Sequence, residues 1–424
     1  MSEPEWVSTS IWWHVYPLGA LGADTTGRDR AAGRTLPALI SWLDHAVRLG
    51  VNGLALGPIF QSSSHGYDTL DHLAIDDRLG TIDDFTRLVA ACRQRGIRIM
   101  LDGVFNHVGR EHPLVADPRA ALESGWARAD DTGELRTFEG HEQLVALNHA
   151  NPAVAQWVTD IMCHWLDRGV DGWRLDAAYA VPKSFWRQVL PAVKDRHPES
   201  YLVGEVIHGD YADTVARTGM DSITQYELWK AIWSAITDAN MHELAWAVQR
   251  HNEMLATFTP WTFIGNHDVT RIANTLEHHQ PQLATVLLAT LPGTPAVYYG
   301  DELGWTGVKE QRAGGDDAIR PELPHDPPTD TDLPAVFRLY QRLLGIRRRF
   351  GLHAAPIRTD EVRQGFLRFA SVVGDGGELV VAINSGTHQV RTRVEGVTWV
   401  DGEDVHHDGA DLHLAPGGWF IGRA

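Results

Sequence analysis

The sequence predicts an α/β protein built on a closed (β/α)8 TIM barrel. A short inserted domain in the third β–α loop and a small C-terminal antiparallel β domain complete it. Three observations carry that expectation. Eight short apolar runs recur between residues 11 and 304. Each run is nearly continuous in its hydrophobicity, the mark of parallel strands buried on both faces. The segments between them are amphipathic at helical spacing, and beyond about residue 351 the pattern changes to alternation broken by Gly and Asp turns.

In chain order the runs are IWWHVYPLG (11–19), VNGLALGPIF (51–60), IRIMLDGVFNH (97–107) and GVDGWRLDA (169–177). YLVGEVI (201–207), SITQYE (222–227), WTFIGNHD (261–268) and PAVYYGDELG (295–304) follow. TIDDFTRLVAACRQRG (81–96) and NPAVAQWVTDIMCHWLDRG (151–169) are the clearest helices. Residues 108–148 stand between the third strand and its helix and read as the inserted loop domain. The barrel is therefore expected over 1–107 and 149–350. In 351–424, GFLRFASVV, ELVVAINSG, VRTRVEGV and GGWFIGRA read as strands of a β-sandwich-like domain. The Pro-rich stretch 320–334 is expected to be a barrel loop.

Composition narrows the function. The 424 residues carry a net charge of −18, which disfavours nucleic acid and anionic membranes as partners, since phosphate binding needs a basic face. Only Cys92 and Cys163 occur, too few for a disulfide framework. The opening MSEPEWVSTS lacks the basic segment and apolar core of a secretory signal, and no apolar run approaches about 18 residues, so a cytoplasmic location is expected. Sixteen tryptophans suit core packing, and their excess mildly favours a carbohydrate ligand.

Catalysis in such barrels sits at the C-terminal ends of the strands. There the sequence puts His65, Tyr67 and Asp68 after the second strand, and Asp102, Asn106 and His107 at the third. Arg174 and Asp176 end the fourth and Glu205 the fifth. Asn266, His267, Asp268 and Arg271 follow the seventh, and Asp301 and Glu302 the eighth. Singly, each has an ordinary structural explanation. Together they converge on one rim, and carboxylates crowded there raise at least one pKa, which a protein tolerates mainly where chemistry needs it.

Two carboxylates flanking a cleft suit glycosidic cleavage, one protonated to donate to the leaving oxygen and one ionised to attack the anomeric carbon. Arg174, two residues from Asp176, is expected to keep that aspartate ionised. Glu205, between Val203 and Val206 with no basic residue within two positions, is expected to hold the proton. Asp268 is a third carboxylate for sugar hydroxyls or transition-state charge. His107 and His267 are neutral donors, and Tyr67 offers a ring face.

LDGVFNH, GWRLDAA, LVGEV and FIGNHD resemble, in order, four sequence regions of the α-amylase family of glycoside hydrolases. LNHANP (147–152) is similar to the fifth region and HGYDTLDH (65–72) to the tyrosine-bearing loop. The match runs from about residue 10 to 350. The resemblance implies Asp176 as nucleophile, Glu205 as acid/base and Asp268 as transition-state stabiliser. It implies Arg174, His107, His267, Asp102 and Tyr67 around the reacting sugar, with Asp68, Arg271 and Arg320 as further sugar contacts. Asn106 matches a position that ligates calcium in many members, with Asp117, Asp130 and Asp131 as the candidate acidic ligands in the insert. The insert is short, and no cofactor is expected to be required.

The sequence departs from the family where Asp176 is followed by Ala-Ala-Tyr, not the Lys-His of many endo-acting starch amylases. The expected activity is therefore a retaining glycosidase hydrolysing α-glucosidic bonds of malto-oligosaccharides or related α-glucans. An α-glucan or glucosyl transferase, or a maltose–trehalose-type isomerase, would use the same covalent intermediate. A non-catalytic sugar-binding relative is disfavoured because all three carboxylates are present.

Overall fold

The computed structural model describes residues 3–276, 280–312, 314–374 and 376–424; Met1 and Ser2 of the opening segment lie outside them. All eight expected strands form one parallel sheet: Trp12–Val15, Gly53–Leu56, Arg98–Gly103, Gly172–Leu175, Tyr201–Gly204, Ser222–Ile223, Trp261–Phe263 and Thr294–Tyr298. Their order is sixth, fifth, fourth, third, second, first, eighth, seventh. A parallel bridge between Thr224 and Trp261 joins the two ends and closes the barrel. The Gln225 N–H reinforces it, donating to the Trp261 carbonyl at 2.9 Å.

Inward-facing side chains fill the barrel as a layered core. Trp12, Ala55, Met100, Tyr201, Val203, Trp261, Phe263 and Ala296 form this interior cluster. Trp12 lies nearly parallel to Tyr201, with ring centroids 6.4 Å apart. Room for its indole comes from Gly53 on the neighbouring strand: a Cβ there would stand 2.4 Å from the Trp12 ring. Two of the outer helices begin where the sequence supplies a side-chain cap. Thr81 and Asp84 form a capping box for Ile82–Gln94, and the Asn151 side chain accepts from the Ala153 N–H ahead of Pro152–Leu166.

The insert in the third loop forms a three-stranded sheet from His107–Gly109, Thr137–Phe138 and His141–Ala146, with the helix Pro118–Ser124 between the first two in the chain. The C-terminal segment has six strands: Ile357–Arg363, Phe366–Val372, Glu378–Asn384, Val390–Arg393, Thr398–Asp408 and Asp411–Arg423. The last of these pairs with three others along its length. One face of the segment holds Phe366, Val380, Ala382, Leu412, Leu414 and Phe420 in a core of its own. Leu367, Phe369, Val381, Ile383, Trp419 and Ile421 belong instead to the continuous core of the barrel helices. Among the described residues no helix is long and apolar enough to cross a membrane.

Candidate active site

Strand register assembles the site. In the parallel ladder Arg174 lies opposite Asp102 on one side and Val203 on the other. Side chains alternate along a strand, so Arg174 and Asp176 both face the barrel mouth, as does Glu205 two residues past Val203. The Asp176 N–H donates to the Gly103 carbonyl at 3.0 Å and the Glu205 N–H to the Leu175 carbonyl at 2.9 Å. The two carboxylates are thereby held at the ends of adjacent strands. Immediately after Asp176, Ala177 adopts φ 45°, a strained conformation for a residue with a Cβ. That turn aims the Ala177 N–H at Glu205 Oε2, 2.9 Å away. Strain of this kind persists where the surrounding structure over-determines it.

The guanidinium of Arg174 takes partners different from those its sequence neighbourhood suggests. Nη1 lies 2.6 Å from Asp102 Oδ2, and Nη2 lies 2.6 Å from Glu205 Oε1. Asp176 Oδ1 is a marginal contact at 3.5 Å. Glu205 also accepts from the Tyr226 hydroxyl at 3.2 Å. Burial first, and then the neighbouring Glu205 carboxylate, push the Asp176 carboxyl well above the usual aspartate range, against the pull of Arg174. The expectation that Arg174 singles out Asp176 and leaves Glu205 without a cation is thus corrected for the ligand-free site. The reason is spatial: Glu205 meets Arg174 across the strand ladder, 31 positions away in the chain. Asp102, fully buried, is pushed up to about 6 in spite of its bond to Arg174.

Opposite this group lie Tyr67, His107, His267 and Asp268. The Tyr67 hydroxyl donates to Asp102 Oδ2 at 3.1 Å and contacts His267 Nε2, with the two rings nearly parallel. Burial holds His267 well below its usual value and His107 at about 4, so both rings are neutral. His267 Nε2 sits 3.0 Å from Asp268 Oδ2, while its Nδ1 is buried without a hydrogen-bond partner. His107 Nε2 lies 3.1 Å from the Tyr67 carbonyl and its ring stacks on Phe138 of the insert. Arg320 reaches in from the loop after the eighth strand. It donates to Asp268 Oδ1 at 2.9 Å and to the His267 carbonyl at 2.8 Å, and its guanidinium lies over the Tyr16 ring.

Several expected contacts lie elsewhere. Asp68 is buried, and its carboxylate accepts from the Ser64 N–H and hydroxyl, ordering its own loop and leaving little for a sugar. Arg271 is 1% exposed and spends its donors on Asp301, Tyr299 and Ile319, so it is a buried strut under the mouth and not a sugar contact. Asp301 answers Arg271, and Glu302 pairs with His45 at 3.1 Å; neither lines the rim. Arg271→Met would leave Asp301 buried without its cation, and a loss of about 3–5 kcal/mol is expected in chemical denaturation.

The residues around Asn106 do not fit calcium, which takes 6–8 oxygen ligands. Its amide nitrogen lies 3.1 Å from His107 Nδ1. The adjoining cavity, about 600 Å³, is lined by Arg128, Arg136 and His149, with Glu139 its only carboxylate. Asp117 caps a helix and Asp130 holds a turn, each through its Oδ1, and Asp131 lies on the exposed turn beside Asp130.

Two side chains at the site come from the strands for which no rim residue was expected. Tyr16, after the first strand, donates to the His65 carbonyl at 2.7 Å, and Tyr226, after the sixth, holds Glu205 and accepts from Asn266. Aromatic residues at strand ends read as core. The signal that could have found these two was position: Tyr16 directly follows its strand and Tyr226 stands three residues past the end of its own, both at the catalytic end of the barrel.

Residues 23–121 and 116–332 match the α-amylase catalytic domain family. Neopullulanase 2 of Thermoactinomyces vulgaris is 29% identical, over 97% of this chain and 77% of that protein. A cyclomaltodextrinase of Geobacillus thermopakistaniensis is 28% identical, over 91% and 68%. The ligand-free structure of a cyclic α-maltosyl-(1→6)-maltose hydrolase from Arthrobacter globiformis superposes with a TM-score of 0.83 at 25% identity, covering 99% of this chain and all of that one.

Proposed function

The chain belongs to the α-amylase family and is a hydrolase of glycosidic bonds, and from that premise we propose that it cleaves α-glucosidic bonds of short or cyclic malto-oligosaccharides with retention. One observation carries the reading. Asp176 and Glu205 end adjacent strands around a single guanidinium, facing a neutral wall of Tyr67, His107 and His267 with Asp268 beside it. That arrangement suits double displacement.

In the first step an Asp176 oxygen attacks the anomeric carbon as the glycosidic C–O bond breaks, and Glu205 gives its proton to the leaving oxygen. In the second, Glu205 takes a proton from water, whose oxygen attacks the same carbon and releases Asp176. Two inversions leave the configuration unchanged. Turnover needs the site's proton on Glu205, whereas in the ligand-free site burial and Glu205 favour holding one at Asp176. Binding of the neutral sugar therefore has to relocate it. Asp268, fixed by Arg320, supplies negative charge near the developing cation, and His107, His267 and Asp102 bond hydroxyls.

The names of the relatives support closed or short α-glucans as substrates, and the Ala-Ala-Tyr that follows Asp176 agrees with this. The reading extends to a metal-independent enzyme in the cytoplasm. The donor set around Asn106 supports the first point, and the buried, unpaired Cys92 and Cys163 support a reducing compartment. Proton NMR of the first product from maltotriose tests the mechanism. The α-anomer is expected before mutarotation; a β-anomer would overturn retention.

A further inference from the structure

We infer that the Tyr179 ring is the platform for the sugar on the leaving-group side, and that Glu139 of the insert holds it there. The inference rests on the glycosidase reading above and deepens it. An acid that protonates the glycosidic oxygen stands between the two sugars it separates. The sugar that is attacked lies against Tyr67, His107, His267 and Asp268, so the departing sugar lies beyond Glu205. Tyr179 is what stands there.

Its backbone N–H donates to the Glu205 carbonyl at 3.2 Å, tying it to the strand end that carries the acid. Its ring is half-buried beside His208, with centroids 5.8 Å apart. Its hydroxyl donates to Glu139 Oε1 at 2.8 Å. Ala177 and Ala178, the residues between it and Asp176, are too small to cover the ring.

Glu139 occupies a costly position. It and Gly140 form the two-residue turn between Thr137–Phe138 and His141–Ala146, with φ of 49° and 79°. Positive φ at both central positions favours Asn, Asp or Gly, and a glutamate there is strained. The strain has a use, because this turn brings the carboxylate to Tyr179. The preceding residue, Phe138, stacks on His107 with centroids 4.8 Å apart. One hairpin tip therefore touches both sides of the cleft, the attacked-sugar side through Phe138 and the departing-sugar side through Glu139. Glu139 is a positioning residue that acts through Tyr179.

The test compares maltotriose with α-glucosyl fluoride, whose leaving group is one atom and reaches no platform. In Tyr179→Ala the ratio of kcat/KM on maltotriose to that on the fluoride is expected to fall about tenfold, the scale of one lost aromatic contact. Tyr179→Phe keeps the ring and loses the bond, so its ratio should fall between. Glu139→Ala should raise KM for maltotriose more than it lowers kcat, and Glu139→Gln, which keeps an acceptor oxygen, should restore it. A Tyr179→Ala ratio equal to that of the unaltered enzyme overturns the inference while leaving the glycosidase reading intact. An unaltered protein that turns over neither substrate overturns both.

Discussion

Asp176→Asn is expected to lower kcat on maltotriose by roughly 10^4-fold or more, the scale of losing a covalent nucleophile. The amide matches the carboxylate in shape and cannot attack the anomeric carbon. Folding should survive, and the melting temperature should stay level or rise. The reason is the crowding already described: Asp102, Asp176 and Glu205 share one guanidinium, and both burial and Glu205 oppose a charge on Asp176. Removing that charge relieves repulsion. Circular dichroism melts beside initial rates check both halves, and a variant that keeps substantial turnover would remove Asp176 from the proposed role.

Glu205→Gln should show a loss that depends on the leaving group. On maltotriose, whose departing oxygen needs a proton, a drop of about 10²–10⁴-fold is expected. On α-glucosyl fluoride the first step needs no acid, so glycosylation should proceed and the glycosyl-enzyme should accumulate. Added azide, which attacks without a base, should then speed release; it enters the β-linked glycosyl-enzyme from the face opposite to Asp176, so the product expected is the α-glycosyl azide. The pH profile adds a sign. In the free enzyme the acid limb of kcat/KM reports ionisation of Asp176, raised by burial and by Glu205. Replacing Glu205 by a neutral amide removes one of those causes, so the limb should move to lower pH. A limb that stays put would mean that the two groups are not coupled.

Much of this site was legible in the sequence, for a physical reason. Parallel strands buried on both faces must be apolar along their length, so all eight stand out, and polar residues at their ends are conspicuous by contrast. Hydrogen-bond partners were not legible. Arg174 chooses between Asp102, Asp176 and Glu205 through strand register and side-chain reach, and sequence distance favoured the one it touches least. Arg271 and Asp301 looked like rim residues because they follow strands, but the chain turns them beneath the mouth. In the C-terminal segment, four strands alternate clearly. Ile357–Arg363 and Thr398–Asp408 are largely exposed and polar, so no apolar period announces them. They are strands because their neighbours offer backbone partners.

The C-terminal sheet does not keep its hydrophobic side to itself. Phe369, Val381, Trp419 and Ile421 are fully or almost fully buried in the core that the barrel helices share, and Asn252 of the helix Met241–Leu255 exchanges two hydrogen bonds with the backbone of Ile357. The seam between the two parts is therefore a wall common to both. Cutting the chain near residue 351 would not trim an appendage; it would strip apolar helix faces bare and leave a catalyst prone to stick to its neighbours. The segment farthest in sequence from the chemistry thus keeps the scaffold of that chemistry dry.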